Sequence, residues 1–306
     1  MTSTAQRRQR RRNLPVALAM LAPSLVILGT FVLYPLGKAI WLGHQRCDVQ
    51  GDNCRSNGWD QYWDAFRSEE FQNALLVTVK FALITVPLGL VLGVGLAVLA
   101  DKWLRGVGIF RAVFSSTIAT SVAVTSLMWL FLLQPEIGAL SNVGWISDVF
   151  PVIKSPGLLR DPGTALTSIA LSSVWGSLGF TFILVTASLQ GIPRDLHEAA
   201  AIDGAGGTRR FWSVTFPLLG PTLLFVVIVL TTRAFQAYGE VDLLTGGGPR
   251  PQDSTTTITY LTYGQESVII NNDGLQATVA VLLFVVLLAL SLLQLRGIGK
   301  RVHYGN

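Results

Sequence analysis

Charge is scarce in this sequence: only 13% of its 306 residues are Asp, Glu, Lys or Arg, against roughly a quarter in an ordinary soluble domain. That scarcity argues against a water-soluble enzyme. Cysteine and histidine are scarcer still, at two and three residues, too few for a multi-cysteine metal site or a disulfide-rich scaffold. Nucleotide motifs are missing as well. No GxxxxGK(S/T) stretch occurs, so ATP is not bound here. The nearest approach to GxGxxG is Gly93 and Gly95 inside an apolar run, where small residues serve helix packing. Gly204, Gly206 and Gly207 follow no buried strand and resemble a phosphate loop only superficially.

Apolar sequence takes the place of what is missing. Half of the residues are hydrophobic, mean hydropathy is +0.50, and the apolar residues come in blocks of about twenty, the length that crosses a bilayer as a helix. The expected fold is therefore all-α and polytopic, with six transmembrane helices near 17–42, 75–99, 112–133, 166–190, 217–237 and 276–295. The first follows an Arg-rich start but runs on without a convincing cleavage site, and is read as a retained helix. Fourteen of the 23 Lys and Arg residues fall on one side of such a bundle: five at the N-terminus, and Lys102, Arg105, Arg111, Arg194, Arg209, Arg210, Arg296, Lys300 and Arg301. This positive-inside pattern puts a basic segment 1–16 and a tail 296–306 in the cytoplasm, with a transmembrane domain over 17–295. The opposite loops hold most of the acidic residues. A basic anchor before an apolar helix explains the N-terminal arginines better than nucleic-acid binding does.

Cys47 and Cys54 lie in an outer loop, CDVQGDNC. The spacing permits a small disulfide-closed loop in an oxidising compartment, and equally two structural thiols. Trp59, Tyr62 and Trp63 follow and suit an interfacial stretch or a packed cap.

The longest polar interruption between spans four and five reads QGIPRDLHEAAAIDGAGGTRRFWSVTFP. Pro193 and Asp195 open a helix, Gly204, Gly206 and Gly207 bend the chain, and Phe211, Trp212 and Val214 restore an apolar face. Two short helices on the cytoplasmic side are expected over 194–216. They form either a docking surface or a linker held at the lipid interface by Arg209, Arg210 and Trp212.

The positions Glu198, Ala199, Ala200, Gly204, Val214, Phe216 and Pro217 resemble the EAA motif of binding-protein-dependent ABC importer permeases, with Val for Ile and Phe for Leu as conservative departures. Further likeness to the carbohydrate-uptake branch, which includes the maltose and glycerol-3-phosphate permeases, lies in Tyr34-Pro35, LQGIP at 189–193 and LLTGGGP at 243–249 followed by STTTITYLTY. The likeness runs over nearly the whole chain from about Leu14. Within that branch, IDGAGGTRRFW and LTGGGP resemble the first glycerol-3-phosphate or glycerophosphodiester permease subunit, a pattern that trehalose and other sugar permeases share.

The resemblance implies a type I ABC importer permease fold with a cytoplasmic coupling helix in a bacterial inner or plasma membrane. It implies Glu198, Ala199, Ala200, Asp203, Gly204, Arg209 and Arg210 as the contact with a cytoplasmic ATPase. The expected partners are a second homologous permease, two ATPase subunits that carry the ATP and Mg, an extracytoplasmic solute-binding protein and membrane lipid. No cofactor is expected in this chain. Carried over by motif, the substrate positions are Ser173, Gly176, Ser177, Phe180, Arg233 and Ala237, with Gln236 beside them; Arg233 and Ala237 replace sugar-contacting types, which argues against maltose itself. Arg233 either forks onto a phosphate oxygen or snorkels to the headgroups. Tyr238, Glu240, Asp242 and Gly246 to Pro249, with Gly247 and Pro249 in the turn, suit an outer gate or binding-protein contact, although turn formation alone explains GGGP.

The sequence also bears on two other classes of function. A membrane enzyme would need a catalytic group at membrane depth, but His44, His197 and His303 lie in loops or at ends, and Ser115, Ser116, Ser121 and Ser126 have no evident base. A non-transport membrane scaffold would keep the six spans without depending on an ATPase.

Overall fold

The computed structural model describes residues 18–47, 54–56, 58–101, 106–135, 138, 157–245, 253–265, 267, 269 and 271–297. The N-terminal arginines, Lys102, Arg105, Gly246 to Pro249, Lys300, Arg301 and His303 lie outside the described residues, and only the backbone of Cys47 and Cys54 is described.

The chain opens with helix α1 (Leu18–Leu42) and a short antiparallel hairpin of β1 (Gln45–Cys47) and β2 (Cys54–Ser56), whose register sets Cys47 opposite Cys54. Helices α2 (Asp60–Arg67), α3 (Glu69–Ala100), α4 (Val107–Ala119), α5 (Val122–Leu133) and α6 (Ala165–Gln190) follow. Then come α7 (Arg194–Ile202), α8 (Gly207–Leu218), α9 (Gly220–Phe235), α10 (Gly239–Leu244), α11 (Ile258–Tyr263) and α12 (Asp273–Gly297). Apart from the hairpin, the described secondary structure is helical. Four helices, α1, α3, α6 and α12, are long and apolar enough to cross a membrane, and the count rises to six if the pairs α4–α5 and α8–α9 each form one span.

The first of those pairs corrects the sequence reading, which took 112–133 as one helix; the second bends at Leu219, at the start of the expected span 217–237. The first is bent by 107° and the second by 68°. At the first break the sequence is a hydroxyl run, Ser115 to Ser121. Ser116 Oγ and Thr117 Oγ1 donate to the carbonyls of Val113 and Phe114 at 2.7 and 3.0 Å, competing with the helical ladder. Thr117–Ala119 tightens to a 3-10 turn, Thr120 and Ser121 become extended, and Ser121 Oγ caps the new helix by accepting from the Val124 amide. At the second break Pro221 supplies no N–H to the ladder. Just before it, residues Phe211–Thr215 are wound as a π-helical segment.

Helix α6 is the axis of the bundle: half of its most apolar window is buried, while that of α1 is wholly exposed. Its packing is set by small residues. Gly89 and Gly93 of α3 face Ser177 and Thr181, and Gly179 lies against the α4 end, where an added Cβ would stand 2.7 Å from the Ile118 amide nitrogen and 3.0 Å from the Phe114 carbonyl. Gly95 differs from the packing role expected of it, since nothing lies within 4 Å of its would-be Cβ. Two apolar clusters flank the middle of α6. One gathers Phe71, Phe81, Ile169, Phe235, Val241 and Tyr260, the other Ala97, Phe182, Val185, Leu189 and Leu223. On the hairpin side, the expected aromatic cap is present: Tyr62 donates to the Ile40 carbonyl at 3.0 Å, and His44 packs edge-on against Trp59 and Tyr62.

Gly179→Ala is expected to lower the thermal midpoint of the purified protein, as overpacking of about 1–3 kcal/mol does. Gly95→Ala is expected to leave it unchanged or raise it, because helix propensity favours Ala by roughly 0.8–1 kcal/mol. Equal midpoints for the two variants would count against the close approach of α6 to α4.

Candidate functional site

Between the two apolar clusters, α6 carries Ser172, Ser173, Gly176 and Ser177, and there the bundle leaves a cavity of about 570 Å³. It is built from five elements of the chain. Helix α6 gives one wall, the end of α9 gives Arg233, Gln236 and Ala237, and α10 with the residue before it gives Tyr238 and Glu240. The break between α4 and α5 gives Thr120, Ser121 and Thr125, and Thr85 of α3 closes the lining.

The residues expected to face substrate are therefore brought together: Ser173, Gly176, Ser177, Arg233, Gln236 and Ala237 share this one cavity. Phe180 stands beside it. The Arg233 guanidinium carbon rests 4.8 Å from the Phe180 ring centroid, a cation–π seat that fixes the charge at the cavity wall. Of the expected gate residues, Tyr238 and Glu240 line the cavity, whereas Asp242 does not. Sequence reasoning missed Thr85, Thr120, Thr125 and Ser172, and raised Ser121 only as a catalytic candidate. Their signal was the cluster of hydroxyls in an otherwise apolar span, with Thr85 two residues before Pro87.

The end of α9 is held by the threonine run that follows it. Thr257 Oγ1 and Thr259 Oγ1 donate to the Ala237 and Phe235 carbonyls, each at 2.8 Å. These are among the carbonyls that a helix end leaves without partners. Thr78 Oγ1 of α3 accepts from the Ile258 amide at 2.9 Å, and the Tyr238 ring stacks on Tyr260. The segment STTTITY thus positions the strip that bears Arg233, Gln236 and Ala237.

Glu240 lies just beyond α9, where Ser173 Oγ donates to its Oε1 at 3.4 Å. Burial pushes its carboxyl above the usual range, opposed by its own backbone amide, by Ser173 and by the positive field of Arg233. Burial, then the charge of Asp242, raises Tyr238.

The second set of expected site residues lies on α7 and the turn after it. Asp195 sits in the first turn of α7 behind Pro193, where its charge suits the helix dipole. At the other end Gly204 has φ +75°, and the Ala205 and Gly204 amides reach back to the Ala200 and Ala201 carbonyls at 2.9 and 3.1 Å. That is a Schellman closure, which needs the left-handed conformation glycine supplies. Nothing on α7 is buried; Glu198, Ala199 and Asp203 are exposed, and Ile202 is 87% exposed. Arg209 is exposed and Arg210 half-buried, its Nε without a partner among the described residues. The two expected short helices are thus present, with an uncovered face.

Because the raised Glu240 pKa makes the ionised form costly, its contribution to stability is favourable below the ordinary carboxylate range. That contribution is lost as pH rises through the interval up to the raised value. Glu240→Gln is expected to flatten this fall in thermal midpoint between pH 4 and pH 8; an unchanged slope would count against a buried carboxyl.

Residues 86–304 match the family described as binding-protein-dependent transport system inner membrane component. The chain is 34% identical to the sn-glycerol-3-phosphate transport system permease protein UgpA of Agrobacterium fabrum, over 94% of this chain and 95% of that protein. It is 33% identical to the protein of the same name from Rhizobium meliloti, over 94% and 95% of the two chains. The fold is similar to a chain in the crystal structure of a bacterial ABC transporter involved in the import of the acidic polysaccharide alginate. That likeness has a TM-score of 0.75 and 20% identity, over 97% of this chain and 99% of the other. These likenesses displace the enzyme and scaffold readings: the chain belongs to the binding-protein-dependent transport system inner membrane component family, and is a multi-pass inner-membrane permease subunit of an ABC importer of the carbohydrate-uptake branch.

Proposed function

We propose that this permease subunit carries glycerol 3-phosphate or a glycerophosphodiester through the cavity between α6 and α9. The observation that carries the reading is the Arg233 guanidinium, seated on Phe180 at the wall of a cavity that also presents Ser and Thr hydroxyls, Gln236, Tyr238 and Glu240. Arg233 stands in the last turn of α9 and is exposed in the isolated subunit; an arginine in a membrane span is costly unless it meets a ligand, a partner or a water-filled path, and its planar fork matches phosphate oxygens. Glu240 and the α6 serines offer hydrogen bonds to the glycerol hydroxyls. The names of the glycerol-3-phosphate relatives support the same substrate class.

Permeases of this family typically work with a second permease, ATPase subunits and a periplasmic solute-binding protein. In our reading, α4–α5 and α8–α9 each cross the membrane as one bent span, giving six spans with both chain ends in the cytoplasm. Helix α7 is the coupling helix of the 194–216 loop: Glu198 supplies charge, Ala199 and Ala200 allow close approach, and Asp203, Gly204, Arg209 and Arg210 shape the turn into α8. Two ATPase subunits bind ATP with Mg and close beneath the permease pair, opening the cavity outward to receive solute from the binding protein; hydrolysis returns it inward. Tyr238, Glu240 and Asp242, with Gly247 and Pro249 outside the described residues, form the outer gate. Cys47 and Cys54, placed opposite each other by the hairpin register, form a disulfide on the outer face.

The test is solute-stimulated ATP hydrolysis by the reconstituted full complex with its binding protein, comparing glycerol 3-phosphate, glycerophosphocholine and trehalose. Stimulation by a phosphoester is expected; stimulation by trehalose alone would overturn the reading. Arg233→Gln is expected to cut phosphoester uptake at least about tenfold, the loss of one charge-assisted contact. Glu198→Arg is expected to abolish ATPase association and uptake with the thermal midpoint unchanged, whereas normal uptake would remove α7 from the coupling role.

A further inference from the structure

Helix α3 and the elbow between α8 and α9 enclose a second hollow, an open groove of about 540 Å³ that shares no lining residue with the cavity. Helix α3 gives it Val91 and Val94, α8 gives Trp212 and Phe216, and α9 gives Leu224 and Val227; no side chain in the lining can hydrogen-bond except the Trp212 indole. Gly95 opens its floor, since nothing lies within 4 Å of the Cβ it lacks. The Trp212 and Phe216 rings lie 5.1 Å apart, centroid to centroid, yet stay 60% and 41% exposed.

The groove has the depth of one leaflet. Leu219 at the elbow packs with Ala97 and Ala100 at the end of α3, so the elbow and that helix end are level. From Ala100 back to Leu90, where the lining on α3 begins, is about 15 Å at 1.5 Å per residue, half of a hydrocarbon core of about 30 Å. At the level of the elbow α8 turns away from α9 by 68°, and it carries Arg209 and Arg210 just before Trp212. Arg209 is exposed and Arg210 half-buried. Neither guanidinium has a hydrogen-bond or ion-pair partner among the described residues, and Asp101, the acid that follows Ala100, reaches neither.

An apolar slot with two unpaired cations and an indole at its mouth matches an anionic amphiphile: the chain leaves water for the slot, the headgroup meets the guanidinium forks, and the tryptophan stands at headgroup level. A protein helix suits it less. Helix α1, which is wholly uncovered, has no acidic residue between Leu18 and Leu42 to set against the arginines.

We propose that the groove between α3 and the α8–α9 elbow is a binding site for an anionic phospholipid of the cytoplasmic leaflet, with an acyl chain along Val91, Gly95 and Val227 and the phosphate on Arg209 and Arg210. Of the two uses the sequence allowed for this loop, docking surface and interfacial linker, α7 takes the first and α8 the second. The inference rests on the membrane orientation proposed above and is independent of the solute. The lipid lies against the elbow itself, at the joint between the docking helix and the cavity.

Tryptophan quenching by brominated lipid tests the site in the complete complex, reconstituted in phosphatidylcholine vesicles that contain equal minor fractions of either dibromo-phosphatidylglycerol or dibromo-phosphatidylcholine. The Trp212 signal is the part lost in Trp212→Phe. Phosphatidylglycerol is expected to quench it at least about fivefold more strongly than phosphatidylcholine, as two arginines at an anionic headgroup allow. Gly95→Leu, which fills the groove where space is open, is expected to bring the two lipids level while keeping both arginines. The double variant Arg209→Gln, Arg210→Gln is expected to do the same while keeping the groove. Equal quenching of the wild type by the two lipids would overturn the anionic site. A preference that survives Gly95→Leu would reduce it to attraction at the surface and overturn the groove as its seat, and a wild-type Trp212 that neither lipid quenches would show the groove covered by protein. Fusions at Asn306 report on the orientation separately: a fluorescent protein that lights and an alkaline phosphatase that stays inactive keep that end cytoplasmic, whereas the reverse would overturn the orientation, and the leaflet with it, whatever the quenching shows.

Discussion

In a chain that crosses a bilayer, each main-chain N–H and C=O at membrane depth has to be paired inside the protein, and the architecture here follows from where that pairing is interrupted. Helices α3, α6 and α12 run unbroken through their apolar lengths. Interruptions fall where side chains can take over the freed groups. The hydroxyl run from Ser115 to Ser121 rewrites the ladder between α4 and α5, and Thr257 and Thr259 donate to the carbonyls at the end of α9. Both places border the cavity. Hydroxyl side chains are the least costly means of ending a helix inside a membrane domain, and the same chemistry makes the resulting space polar.

That cavity holds one seated cation and one partly buried acid, and their settings differ. Arg233 is placed by the face of the Phe180 ring, which orients the guanidinium without neutralising it. Glu240 is raised by burial and is held by Ser173 across the cavity wall. A neutral sugar would gain little from the first. On the proposed reading, a phosphoester of a polyol meets both, its anionic end at α9 and its hydroxyls near α6 and α10.

Much of this was legible before any coordinates, because hydropathy reports length and composition directly: the long helices fall within a few residues of the expected spans. The break after α7 was legible for another reason. Gly204 is a positive-φ requirement that a sequence displays openly, and the motif around it fixed the position of the exposed helix. The bends in α4–α5 and α8–α9 were not visible in the same way, since an apolar window has the same mean hydropathy whether straight or folded by 107°. Ser121 illustrates the difference. Read as an isolated hydroxyl it was a nucleophile without a base; in the fold it is a helix cap, and its neighbours line the cavity.

The linkage between the exposed helix and the cavity is short. Helix α7 joins α8 through Gly204 to Gly206, and α8 passes into α9 at Leu219, which is fully buried among Val185, Leu189 and Leu223. The bend there leaves an unpaired step in the ladder at Pro221, so rotation is localised at that point rather than spread along the helix. On the proposed docking role of α7, a displacement imposed by an ATPase pivots α8 about the buried Leu219 and reaches Arg233 along α9, which starts at Gly220. The first turns of α5 have no such connection to α7: Thr125 packs on Gly176 of α6, and Gly179 of α6 holds the end of α4. On the proposed reading, Arg233 sits on the driven element and the α6 hydroxyls on the static axis, and that asymmetry allows motion at the membrane surface to open the cavity without breaking the core.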